Sequence, residues 1–398
     1  MAIPPAAFVF TVFLAALVGM PALSIDMSLP GLSVITAALG APAASGSLML
    51  TTLLAGFGGA QLAFGPVSDR FGRRPVLLVG LATFAIAGGM CALSDGFAWL
   101  LVARALQGIG AAAGTVLAFA MVQDCFEGEA ARRRIATINT VMALAPIVAP
   151  IIGAFVLGLA GWRAIFAVLC GFGSILFVVA ALWSGETIRQ RNPRALHPGG
   201  LWRSYRRALT HPVAIANTAL SALAFADLFA FISGSPLVYV DQLGVARSGF
   251  AMIFAAASAG LMAGSLLVGR WRRGAALLPV GLVLCTLAGA GLLGMRLAGG
   301  FALAPSVLLL VVNAFGCGLI FPNAIHAALA PLRDIAGVAS AVNGALRMAG
   351  GAIASAALKP LYDGTPLAMS LGIFVSAFAA LLLWLVLLRG GRNEMATK

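Results

Sequence analysis

Twelve apolar stretches, each long enough to cross a bilayer as a helix, follow one another with only short polar breaks. They run approximately over 7–36, 46–66, 75–94, 98–123, 134–159, 163–184, 212–238, 248–269, 275–296, 303–330, 336–358 and 366–388. A spanning helix needs about 20 apolar residues, and lipid offers the backbone no partner outside its own helix. The chain of 398 residues is 61% hydrophobic and only 9% charged, too little charge to coat a soluble domain of this size. Its mean hydropathy is +1.04. The expected fold class is an all-α polytopic membrane protein of twelve transmembrane helices in two six-helix halves.

The net charge of +13 raises the question of nucleic acid, and its placement answers it. Arg70, Arg73, Arg74, Arg132, Arg133, Arg134, Arg189, Arg191, Arg194, Arg203, Arg206, Arg207, Arg270, Arg272, Arg273, Arg333, Arg389, Arg392 and Lys398 fall in alternate loops on one side. Only Arg163, Arg247, Arg296 and Lys359 fall on the other. The positive-inside bias makes the rich side cytoplasmic, so both termini are expected there. Nucleic acid is not an expected partner. The first apolar stretch is too long for a signal-peptide core and is read as a retained helix. Cys91, Cys125, Cys170, Cys285 and Cys317 are scattered, with no C-x-x-C pair, and suggest neither a disulfide framework nor a metal site.

The longest polar segment, 185–211, carries six arginines, two histidines and two prolines. It divides the chain into an N-terminal half, 1–184, and a C-terminal half, 212–398, with 185–211 as a cytoplasmic linker. Glycine and alanine recur within the spans, as in Gly108-Ile109-Gly110, and favour close helix packing.

One polar break is unusually specific. Gly65-Pro66-Val67-Ser68-Asp69-Arg70-Phe71-Gly72-Arg73-Arg74-Pro75 places four charges and two glycines between two spans. It resembles the loop between the second and third helices of the major facilitator superfamily, G-x-x-x-D-R-x-G-R-[RK]-x. A weak echo, Gly264 to Arg273, occupies the corresponding place in the second half without the acid. The resemblance implies parallel six-helix halves around a midplane site. It also implies a conformational gate formed by Gly65, Asp69, Arg70, Gly72, Arg73 and Arg74, with Asp124 as a partner for Arg73 and Arg74. In the family the acid at 69 anchors the hairpin to a helix N-terminus of the other half.

Five ionisable residues lie inside spans: Asp26, Arg104, Asp227, His326 and Arg347. Such residues are costly in lipid and are functional candidates for that reason. Asp26-Met27-Ser28-Leu29-Pro30 resembles the D-M-x-L-P signature of the Bcr/CflA group of drug:proton antiporters, where the acid serves proton coupling and substrate binding. Arg104-Ala105-Leu106-Gln107-Gly108-Ile109-Gly110 resembles the fourth-helix motif R-x-x-Q-G-x-G, whose arginine is linked to proton transfer. An ion pair between Asp26 and Arg104 is the structural alternative, and the two roles are compatible.

Phe231-Ile232-Ser233-Gly234-Ser235-Pro236-Leu237-Val238-Tyr239 is similar to the group's seventh helix, and Pro322-Asn323-Ala324 to its tenth. Asp227 and Arg347 depart from that pattern. Asp227 has three readings: a second proton site, a substrate contact, or the partner of Arg347, which is favoured. Met27, Phe225, Phe229, Phe231 and His326 are candidate pocket residues. The fifth span carries Ala145-Pro146-Ile147-Val148-Ala149-Pro150-Ile151-Ile152-Gly153-Ala154, which resembles the antiporter motif G-P-x-x-G-G with alanines at two glycine positions. Pro146, Pro150 and Gly153 are expected to form its kink.

Together the resemblance implies a proton-coupled secondary transporter of the inner membrane, acting as a monomer without cofactor and exporting small, largely apolar drugs. Its partners are the substrate, protons and the lipid bilayer. A metabolite exporter on the same scaffold is the alternative, and a non-transporting sensor a remote one. No G-x-x-x-x-G-K-[ST] loop is present to hold nucleotide phosphates, and no catalytic constellation suggests an enzyme.

Overall fold

The computed structural model describes residues 8–183, 185–188, 190–271 and 274–396. Arg189, Arg272, Arg273 and Lys398 of the charge pattern, and the side chains of Arg132, Arg389 and Arg392, lie outside the described residues. The described chain is helical throughout, with no strand. Its helices are α1 (Phe8–Asp26), α2 (Leu32–Ala38), α3 (Gly46–Phe71), α4 (Arg73–Ala92), α5 (Phe97–Cys125), α6 (Gly128–Trp183), α7 (Pro198–Thr210), α8 (Pro212–Ser235), α9 (Arg247–Arg270), α10 (Leu278–Leu297), α11 (Leu303–Leu329), α12 (Ala336–Leu361) and α13 (Leu367–Ala396).

Among the described residues, ten continuous stretches are long and apolar enough to cross a membrane. Two of them are too long for one crossing. The 56 residues of α6 would extend about 84 Å at 1.5 Å per residue, against a hydrocarbon core of about 30 Å. The chain turns inside it at Gly161, whose φ of 76° and ψ of −179° belong to a region open in practice to glycine alone. The stretch Leu303–Leu361 turns likewise through the short 3-10 segment Ala330–Ile335 between α11 and α12. Two crossings from each bring the total to the twelve expected from the sequence.

The chain divides into two compact units, Met1–Tyr205 and Arg206–Lys398. The division falls inside α7, a helix within the segment that the sequence suggested only as a polar linker. Most of that segment belongs with the first unit. The Asn192 amide donates to the Asp69 carbonyl at 2.9 Å, and the Tyr205 hydroxyl donates to the Leu62 carbonyl at 2.5 Å.

Within each unit, small residues set the helix spacing. A Cβ on Gly56 of α3 would overlap the Ala105 carbonyl, and one on Gly108 of α5 would overlap that of Leu53. These two helices therefore meet backbone to backbone, as apolar solvent demands when no hydrophobic force drives them together. In the second unit, polar side chains bridge α8 and α12: Ser233 to Ser355 at 2.6 Å, and Asn343 Nδ2 to Thr218 at 3.3 Å and Ser221 at 3.2 Å. Large apolar residues such as Ile86, Phe155, Leu159, Leu308 and Val386 stand exposed, suited to a lipid-facing surface.

Candidate functional site

The first unit's site starts from a proline. Pro30 has no N–H to return to the Asp26 carbonyl, so α1 stops at Asp26 and the chain passes through a 3-10 turn, Leu29–Gly31, into α2. The acid thus sits at a break in a spanning helix, the device by which transporters expose backbone and side chains near the bilayer centre. Asp26 is 3% exposed and makes no hydrogen bond or ion pair with any described residue. Met27 beside it is buried, and Gly153 of α6 lies so close that a Cβ there would overlap the Met27 carbonyl. The helix continues through Pro146 and Pro150, and Gly161 is its one non-helical residue.

Arg104 comes from α5, fully buried. Its Nη1 donates to the Ser24 carbonyl at 2.9 Å and to Gln107 Oε1 at 2.7 Å, and its guanidinium lies 5.6 Å from the Phe166 ring centre. Arg104 and Gln107 are three residues apart, hence on one helix face. The ion pair with Asp26 is not made, because the arginine is held against the α1 backbone two residues earlier. Its Nε and Nη2, and Gln107 Nε2, are buried donors without an acceptor among the described residues.

The charged hairpin is tighter than a loop. Helix α3 continues through Gly65, Pro66 and Asp69 to Phe71, and α4 begins at Arg73, leaving Gly72 alone as the turn. Its φ of 103° and ψ of 154° again suit only glycine. Arg73 is the hub: it reaches Asp69 at 2.6 Å, Asp124 at 2.9 Å and Ser68 Oγ at 2.6 Å. Arg74 instead donates to the Ala181 carbonyl at 2.6 Å, and Arg70 lies 5.3 Å from the Phe71 ring.

Glu186 completes the network, and sequence reasoning passed over it. Its carboxylate accepts from the Arg73 amide at 2.9 Å and the Arg74 amide at 3.4 Å. Gly72 has no side chain with which to cap α4, so an acid from 113 residues away does so, where the helix dipole favours negative charge. Thr187 adds a hydrogen bond to Asp124 at 3.1 Å. The available signal was that Glu186 is the one acid in the arginine-rich segment 185–211.

In the second unit the expected Asp227–Arg347 ion pair does not form. Asp227, on α8, accepts from Asn313 Nδ2 at 3.2 Å and from Cys317 Sγ at 3.3 Å. Arg347 lies instead between the Phe225 and Phe321 rings, 4.9 Å from each centre. It makes no hydrogen bond with a described residue, and its Nε is buried. The two charges are satisfied separately, one by polar donors and the other by aromatic faces. Phe225 also packs against Phe229 at 4.7 Å, whereas Phe231 stacks on Phe254 of α9 at 5.6 Å, so the three candidate pocket phenylalanines do not form one cluster. His326 is exposed near the end of α11 and joins neither group.

Residues 9–355 match the Major Facilitator Superfamily. The chain is 33% identical over 375 residues to the MFS-type transporter YdgK of Bacillus subtilis, with 92% of each chain covered. It is 37% identical over 255 residues to a chloramphenicol resistance protein of Pseudomonas aeruginosa, covering 62% of this chain and 58% of that one. The multidrug resistance protein MdtL of Klebsiella pneumoniae is 28% identical over 233 residues, 58% of each. Among solved structures, a POT family transporter in complex with 5-aminolevulinic acid superposes with a TM-score of 0.75 at 13% identity, covering 97% of each chain. The xylose transporter XylE from E. coli does so with a TM-score of 0.72 at 15% identity, over 95% of this chain and 97% of that one. At such identities these structures speak for the fold alone. With a family match over most of its length and twelve apolar crossings, the chain belongs to the major facilitator superfamily, a family of membrane transporters rather than enzymes.

Proposed function

We propose that the chain exports small, largely apolar drugs or antibiotics across the inner membrane in exchange for protons, in the manner of the Bcr/CflA group, with both termini cytoplasmic. The observation that carries this reading is Asp26: a buried carboxyl without a partner, at a break in a spanning helix. Binding and release of a proton there changes the charge of the helix break and thereby the cost of burying it. Arg104 and Gln107, anchored two residues away through Ser24, hold cationic and amide donors ready for a carboxylate or a polar group of the cargo. The resistance proteins among its relatives support the substrate class.

The test is proton flux in proteoliposomes across a panel of antibiotics. Wild type is expected to move protons on addition of its substrate, and Asp26→Asn to lose that movement while keeping its fold by thermal unfolding. Substrate-driven proton flux that survives the substitution overturns Asp26 as the carrier. One observation favours a second cargo. Arg347 lacks any carboxylate partner among the described residues, which suits a cargo bearing an acid, such as an amino-acid derivative. Transport of such a metabolite, lost in Arg347→Met with antibiotic flux unchanged, decides for it.

A further inference from the structure

Three helices of the second unit bring sulfur and oxygen donors to one buried point. Asp227 of α8, Cys285 of α10 and Cys317 of α11 are all buried, and their ligand atoms lie within 4.8 Å of one another. The two sulfurs stand 3.8 Å apart, and Cys317 Sγ is 3.3 Å from Asp227 Oδ2. Two thiolates on one tetrahedral zinc, each about 2.3 Å from it, are about 3.8 Å apart, and a thiolate and a carboxylate oxygen about 3.5 Å. The sulfur–sulfur and the Cys317–Asp227 spacings thus already match those around a bound metal ion.

A fourth donor stands beside them. Asn313, 1% exposed, donates through Nδ2 to Asp227 Oδ1, while its own Oδ1 is buried and accepts nothing from the described residues. A half-turn of the amide exchanges these two atoms and presents Oδ1 beside the carboxylate. A buried acceptor without a donor is an uncommon feature of a folded core, and a cation satisfies it.

We propose that Asp227, Cys285 and Cys317, completed by Asn313, form an intramembrane site for a thiophilic divalent cation, of which Zn2+ and Cd2+ are the fitting representatives. The sulfur pair selects against Mg2+ and Ca2+, which take oxygen ligands. On binding, the two S–H bonds break, two metal–sulfur bonds form, and both protons leave to water. One divalent cation replaces two protons, so the net charge of the site is unchanged. That matters in an apolar interior, where an added net charge is costly. The site is independent of Asp26 and of any export function.

The test uses the purified full-length protein in detergent with a phosphine reductant, titrated with cadmium chloride alone. A saturable thiolate-to-cadmium charge-transfer band is expected in the near ultraviolet, with one retained cadmium per chain after desalting. The C91S/C125S/C170S variant is expected to keep both, C285S/C317S to lose them, and D227N to weaken binding by about 10-fold or more. Zinc absorption spectroscopy on the C91S/C125S/C170S protein, which leaves the site untouched, is expected to show two sulfurs at about 2.3 Å. Absence of a saturable band, persistence of one cadmium in C285S/C317S, or a zinc shell without two sulfurs overturns the proposal.

Discussion

Arg347 shows how a single cation is tolerated in an apolar bundle without an acid. The negative faces of two phenyl rings bracket the guanidinium, and each such contact is worth about 2 kcal/mol where water is excluded. An ion pair with Asp227 would give up both rings and the amide and thiol donors that serve the acid. It follows that charge exchange should fail: Asp227→Arg with Arg347→Asp is expected to fold no better than the worse single variant. Thermal unfolding of the four proteins checks this, and recovery of stability in the double variant contradicts it. Conversely, Phe225→Leu and Phe321→Leu should each lower the melting temperature when Arg347 is present and much less in an Arg347→Met background. Asp227 and Arg347 stood out in the sequence because charged residues are rare in spans. Of their partners only Phe225 did, as a candidate pocket residue, because Phe321, Asn313 and Cys317 are ordinary residues on another helix.

At the level of single elements, glycine decides where helices end and how closely they lie. Gly161 falls in the short break between the apolar runs 134–159 and 163–184, and its backbone angles make it the turn. Gly161→Ala is expected to cost about 1–3 kcal/mol through strain alone. Gly72→Ala combines the same strain with displacement of Glu186, whose carboxylate occupies the space of the added methyl. That variant should lose more than Gly161→Ala, and Glu186→Gln alone should lose about 0.3–1 kcal/mol from the charge at the start of α4. Comparative melting of the three proteins checks the order. The break of α1 at Asp26 was not read from the sequence, where 7–36 passes for one apolar stretch, although Pro30 stands four residues beyond the acid. Nor was helix α7: a segment rich in arginine, histidine and proline reads as a solvated linker, and only its fold shows that Tyr205 ties it to α3.

Over the whole molecule, the alternation of basic and neutral breaks is expected to orient every crossing. A fluorescent protein fused after Lys398 should be bright, as cytoplasmic folding requires. Alkaline phosphatase inserted at Gly161 should be active, as the opposite side requires. The reverse pattern contradicts the proposed orientation. The hairpin at Gly72 then lies on the cytoplasmic face. There Arg73 joins Asp69 to Asp124 while Glu186 and Thr187 fasten the chain beyond α6 to the same point. Loss of this hub by Arg73→Met should slow transport more than it lowers stability, because a partly exposed ion-pair network contributes little to folding but fixes one arrangement of the helix ends. Initial rates in proteoliposomes, set beside melting temperature, check that.

The sequence by itself determined the number of crossings, their order, the short breaks that hold Gly72 and Gly161, and which residues are too costly in lipid to be accidental. These follow from local rules: apolar length, backbone geometry and the price of a buried charge are written residue by residue. Only the tertiary structure decided which partner each costly residue takes. Arg104 goes to the α1 backbone, Arg347 to two rings, and Asp227 to an amide and a thiol. Such choices depend on which faces of separate helices meet. Where the surroundings of most helix positions are equally apolar, the chain carries little local signal of that meeting.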